Sequence, residues 1–112
     1  MIESASLPAE ARSKREIERL RKDAGAHPDD PELQLRLASL LLAEGRVEEA
    51  EGEFRVLLTR YAETRTWQQA GSFLLGFERY RLARDFLERA AAGNPAANLD
   101  LATALFFLEG PA

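Results

Sequence analysis

The sequence predicts an all-α chain of about six helices arranged as antiparallel pairs, and three observations predict it. A spacing of small and large residues, Trp67-x-x-Ala70-Gly71-x-x-Leu74 followed by Tyr80-x-x-Ala83-x-x-x-Leu87-x-x-Ala90 and Pro95, describes two helices that must approach closely. A related spacing occurs one unit earlier, as Leu37-Ala38-x-x-Leu41 and Val47-x-x-Ala50-x-x-x-Phe54-x-x-Leu57. Finally, Val47 and Tyr80, Ala50 and Ala83, Phe54 and Leu87, and Leu57 and Ala90 are all 33 residues apart. A constant offset over four pairs marks a repeated helix–turn–helix unit.

This pattern resembles the tetratricopeptide repeat, a family of stacked helix pairs with a period of about 34 residues. Trp67, Ala70, Gly71, Leu74, Ala83, Leu87, Ala90 and Pro95 stand where the family places its signature residues. The earlier unit is looser, with Gln34 in the place of Trp67 and Ala62 in the place of Pro95. The resemblance implies an α-solenoid. As a single domain over 1–112, it would comprise a capping helix at 8–25, repeats at 31–62 and 64–95, and a half repeat at 97–110.

Composition narrows the functional classes. Hydrophobic residues at 46% and charged residues at 30% suit a folded domain rather than a disordered one. The absence of cysteine removes disulfides and thiolate metal sites, and a net charge of −4 disfavours a nucleic-acid partner. No apolar run approaches the roughly 20 residues needed to cross a bilayer, so no membrane partner is expected. The first residues, Met1-Ile2-Glu3-Ser4-Ala5-Ser6, do not read as a secretory signal. If Met1 is the natural start, the expected location is the cytoplasm.

Along the chain, residues 1–7 read as a tail, and Pro8 suits the first turn of a helix running to about Ala24. Ile17, Leu20 and Ala24 give that helix one narrow apolar stripe. Glu10 with Lys14, Arg12 with Glu16 and Glu18 with Lys22 are spaced for ion pairs, and Gly25 is expected to stop the helix. Asp30 is a good N-cap before Pro31, where a leucine-rich helix runs to about Glu44. Gly45 ends that helix, and Val47 to Tyr61 forms the next, with Val47, Ala50, Phe54, Leu57 and Leu58 inward. Thr64 to Phe77 is a fourth helix, in which Gly71 costs about 1 kcal/mol relative to alanine and so requires a packing reason. Arg79 to Ala92 is its partner, closed by Gly93-Asn94-Pro95. The last helix, Ala97 to Glu109, restarts the repeat, with Pro95, Leu99, Leu101, Ala102 and Leu105 matching Pro31, Leu35, Leu37, Ala38 and Leu41.

Catalysis finds no support in these residues. His27 is the one histidine and sits in a loop without ligand-spaced neighbours, so no metal or other cofactor is expected. Ser39, Ser72 and Thr103 have no common base, and Glu48, Glu49, Glu51 and Glu53 lie on a helix exterior. The repeat register makes Trp67 a core residue. The basic residues Arg12, Lys14, Arg15, Arg19, Arg21 and Lys22 are interleaved with acids and read as a solvated face.

The resemblance implies a non-catalytic module that binds a peptide or partner protein in a concave groove lined by the first helix of each pair. Carried onto this chain, the lining is Leu35, Ser39, Leu42 and Ala43 in one unit and Arg65, Gln68, Gln69, Ser72, Leu75 and Gly76 in the next. Capture of a peptide's terminal carboxylate is disfavoured, because Leu35 and Ser39 stand where two polar clamp residues would be. An extended or helical peptide with one apolar anchor suits the lining better. The alternative is a structural module that forms homo-oligomers through its apolar C-terminal helix, where Leu105, Phe106, Phe107 and Leu108 are consecutive.

Overall fold

The computed structural model describes residues 9–110, apart from the side chain of Glu10. It contains six helices: α1 (Ala9–Ala26), α2 (Pro31–Ala43), α3 (Val47–Arg60), α4 (Thr64–Gly76), α5 (Tyr80–Gly93) and α6 (Ala97–Glu109). Among the described residues there is no strand. The tail, the start at Pro8 and the Glu10–Lys14 pair lie outside what is described. The chain forms two compact units, Met1–Glu53 and Phe54–Ala112, and α3 opens in the first and closes in the second.

In the first unit α1 packs on α2, with Ile17 and Leu20 buried on the stripe that the three- and four-residue spacing lays down. Gly25 does not stop α1, which continues to Ala26, with the amide of His27 donating to the Asp23 carbonyl at 2.9 Å. One exposed glycine weakens a helix by about 1 kcal/mol. Pro28 acts more strongly, because the residue before a proline is driven out of the helical region. The expected cap of α2 is present, with Asp30 Oδ1 accepting from the Glu32 amide at 3.0 Å and Pro31 in the first turn.

Gln34, which occupies the tryptophan place of this unit, is buried and joins helices by hydrogen bonds. Its Nε2 donates to the backbone carbonyl of Glu53 at 3.0 Å and to Glu53 Oε1 at 2.7 Å. A buried amide is stable only with such partners. Arg21 then reaches from α1 to Glu53 Oε2 at 3.0 Å and Glu49 Oε1 at 2.9 Å, while Arg46 Nε donates to Glu49 Oε2 at 2.6 Å. These donors, Arg46 first, hold the Glu49 carboxyl below its ordinary pKa. Within α1, Glu16 pairs with Arg19 at i+3.

The second unit is built by α4 on α5 and α5 on α6, together with the end of α3. Phe54, Leu57, Ala70, Leu74, Ala83, Phe86, Leu87 and Ala90 are all fully buried. Gly71 has the packing reason it needs. A Cβ at this position would lie 2.5 Å from Leu87 Cγ, so only glycine lets α4 and α5 approach this closely. Phe54 meets Phe86 edge-on at 6.1 Å and Phe73 at 6.3 Å. Arg89 lies over the half-buried Trp67 ring at 6.0 Å and donates to the Leu58 carbonyl.

The turns after α2 and α4 are the same structure made from different residues. After α2, Gly45 has φ +81°, and the amides of Gly45 and Arg46 donate to the carbonyls of Leu42 and Leu41. After α4, 33 residues later, Glu78 has φ 60°, and the amides of Glu78 and Arg79 donate to Leu75 and Leu74. This left-handed closure favours glycine, and a side chain there is strained. Glu78→Gly is therefore expected to raise stability by about 0.5–1 kcal/mol, seen as a higher urea midpoint at constant slope.

Helix α6 departs from the expected register. The matching residue Ala38 is fully buried, yet Ala102 is exposed, and the buried small residues are Ala97 and Ala104. Leu101, Leu105 and Leu108 are half-buried on the same side. Packing against α5 selects the face with the smallest residues at its centre, and in α6 that face is centred on Ala97 and Ala104. Phe107 leans back and stacks on Tyr80, with ring centroids 4.7 Å apart.

Candidate functional site

Within α4, Ala70, Gly71 and Leu74 are buried, so the three- and four-residue periodicity turns Arg65, Gln69 and Ser72 outward. Gln68 and Leu75 are half-buried at the edges of this face. Two of the six α4 residues expected to meet a partner are already engaged by their own chain. Gln68 Oε1 accepts from Asn94 Nδ2 at 2.5 Å, and Asn94 Oδ1 accepts from the Ala96 amide, which fixes the turn between α5 and α6. Ser72 Oγ donates to Asp100 Oδ2 at 2.6 Å and links α4 to α6.

Arg65 and Gln69 are both exposed, and Arg65 makes no ion pair among the described residues. The face therefore offers one unpaired guanidinium, one exposed amide and the flank of Leu75. Sequence reasoning missed Asp100 as the partner of Ser72. Leu99, which the repeat register aligns with Leu35, is 77% exposed on α6.

In the first unit, the corresponding face of α2 is less open. Leu35 and Ser39 are half-buried, and Leu42 is only 4% exposed, so it backs this face without contributing surface. Arg36, beside them, pairs with Glu32 at 3.7 Å.

Of the C-terminal residues expected to mediate association, Phe106 and Phe107 are 52% and 56% exposed, while Leu105 and Leu108 are half-buried. His27 is exposed, and among the described residues no three His, Cys, Asp or Glu side chains gather as a metal site would require. No helix among the described residues is long and apolar enough to cross a membrane. Trp67 is half-buried, with the Arg89 guanidinium 6.0 Å from its ring, and is not the core residue that the repeat register implied.

Comparison with known proteins gives one positive result. A family model described as tetratricopeptide repeat matches residues 10–72, more than half of the chain. No curated protein and no solved structure matches the sequence.

Proposed function

This chain belongs to the tetratricopeptide repeat family, whose members are in general non-catalytic protein–protein interaction modules, and we propose that its units bind peptides, each through the outward face of its own first repeat helix. On α2 this face is Leu35 and Ser39, backed by Leu42, and on α4 it is Arg65, Gln68, Gln69, Ser72 and Leu75. The observation that carries the reading is Arg65, an exposed and unpaired cation beside the exposed amide of Gln69 and the half-buried Leu75. Such a set suits a peptide with one apolar anchor, a backbone that hydrogen-bonds to Gln69, and a carboxylate near Arg65.

A random-peptide display library selected against the chain tests this. Selected peptides are expected to carry an acidic residue near an apolar anchor. Arg65→Glu is expected to weaken them at least tenfold while leaving the melting temperature unchanged. Full affinity in Arg65→Glu, or selection of peptides without an acid, would remove α4 as the binding face.

A second reading is self-assembly through the C-terminal helix. It is favoured by the exposure of Phe106 and Phe107 in a helix that is apolar on every side.

A further inference from the structure

The outward line of α4 carries a cation at one end and holds a carboxylate of α6 at the other. Arg65 and Ser72 are seven residues apart, close to two helical turns, so they stand on one line along the helix with the exposed Gln69 between them. Ser72 Oγ donates to Asp100 Oδ2 at 2.6 Å, and this bond sets the half-buried carboxylate against the α4 face. The helical rise puts Arg65 and Ser72 about 10 Å apart along the axis.

Neither charge is taken up within its own unit. Arg65 is exposed, and neither it nor Asp100 makes an ion pair among the described residues. Ser72 occupies one oxygen of the carboxylate, and Oδ1 accepts from no group among the described residues. The first amides of α6 do not turn to it either, because those of Ala97 and Asn98 donate to the carbonyls of Asn94 and Pro95 at 3.0 Å. The first unit differs here. On α2 the cation Arg36 is already paired with Glu32 at 3.7 Å.

We propose that the peptide read by α4 carries one acid and one base three residues apart, the acid set on Arg65 and the base on Asp100. This inference rests on the peptide-binding reading and adds the charge pattern of the partner. Charge complementarity selects this occupant: a peptide acidic throughout would bring its second acid against Asp100, and a peptide basic throughout would bring a cation against Arg65. The spacing follows from chain geometry. An extended peptide of the polyproline type turns once every three residues and rises about 3.1 Å per residue, so side chains at i and i+3 point the same way about 9 Å apart. A strand instead puts same-side residues about 7 or 13 Å apart, which misses the distance along α4. Gln69 stands between the two charges, where its amide can donate to and accept from the peptide backbone that joins them.

Peptides selected from a random display library against the full chain are expected to carry an acid and a base at this spacing. Asp100→Asn keeps an acceptor for Ser72 and removes only the charge. It is expected to retain the helical circular dichroism and to weaken the selected peptide about three- to fivefold, the scale of an exposed ion pair. Replacing the peptide's base by glutamine is expected to cost as much on the unaltered chain and nothing on Asp100→Asn, since the two groups act as a pair. Full affinity in Asp100→Asn while Arg65→Glu still weakens binding overturns the charge pattern alone, as do selected peptides that carry an acid and no base. Independent, additive losses from Asp100→Asn and from the glutamine peptide place the base elsewhere and overturn its pairing with Asp100. Full affinity in Arg65→Glu, or the absence of any selected peptide, overturns the peptide-binding reading and this inference together.

Discussion

Ala83→Glu unfolds the second unit. Ala83 is fully buried on α5, one turn before Leu87, whose side chain already fills the space that a Cβ on Gly71 would need. Glutamate adds a longer side chain where there is no room and a carboxylate where there is no water. Overpacking costs about 1–3 kcal/mol, and burying an unpaired acid, even protonated, adds several more. Domains of this size are stable by only about 5–15 kcal/mol in total. The expected result is loss of helical circular dichroism and of a cooperative transition in the variant. Ala83→Gly, which removes one methyl group and loosens the helix, is expected to cost only about 1–2 kcal/mol and still melt cooperatively. A cooperative melt of Ala83→Glu at an unchanged temperature would show that the α4–α5 register is wrong.

The same close approach explains which parts of the fold were legible in the sequence. Gly71, Ala83 and Leu87 are informative because the distance between two helices is set by the smallest residues on the facing sides, and those residues recur with the repeat. The cap at Asp30 and the stop at Gly45 were equally readable, since each depends on the chemistry of one residue in a local backbone position. Glu78 was not readable as the counterpart of Gly45. It takes the left-handed position because α4 and α5 are held on both sides, against its own preference. Tertiary packing overrides local propensity there.

The candidate site was less legible than the fold, and again for physical reasons. Periodicity identifies which residues of α4 face outward, and Arg65, Gln69 and Ser72 do. It does not say which of them will be taken up by a neighbouring helix. Asn94 and Asp100, which occupy Gln68 and Ser72, are 26 and 28 residues away, and the repeat spacing pairs neither with its partner. In α6 the sequence signal is weak, because leucine and phenylalanine occur on every side and no apolar face stands out. Which face turns inward is decided by Ala97 and Ala104 against α5, which leaves Leu99 and Phe106 exposed.

Phe86→Ala is expected to destabilise the second unit by about 3–5 kcal/mol, read from urea unfolding followed by circular dichroism. The ring is fully buried and meets Phe54 at 76° between planes, close to edge-on. Truncation therefore removes apolar area, leaves a cavity among side chains that have no freedom to close it, and ends an aromatic pair worth about 0.5–1.5 kcal/mol. Phe77→Ala supplies the contrast within the same residue type. Phe77 touches Phe73, with centroids 4.9 Å apart, but is 41% exposed in the turn after α4, and less than half as large a loss is expected. Equal losses at the two positions would mean that the aromatic cluster does not end at Phe54 and Phe86. A negligible loss at Phe86 would mean that α5 does not present this face to the end of α3, and the assignment of Ala83, Leu87 and Ala90 to the core would fall with it.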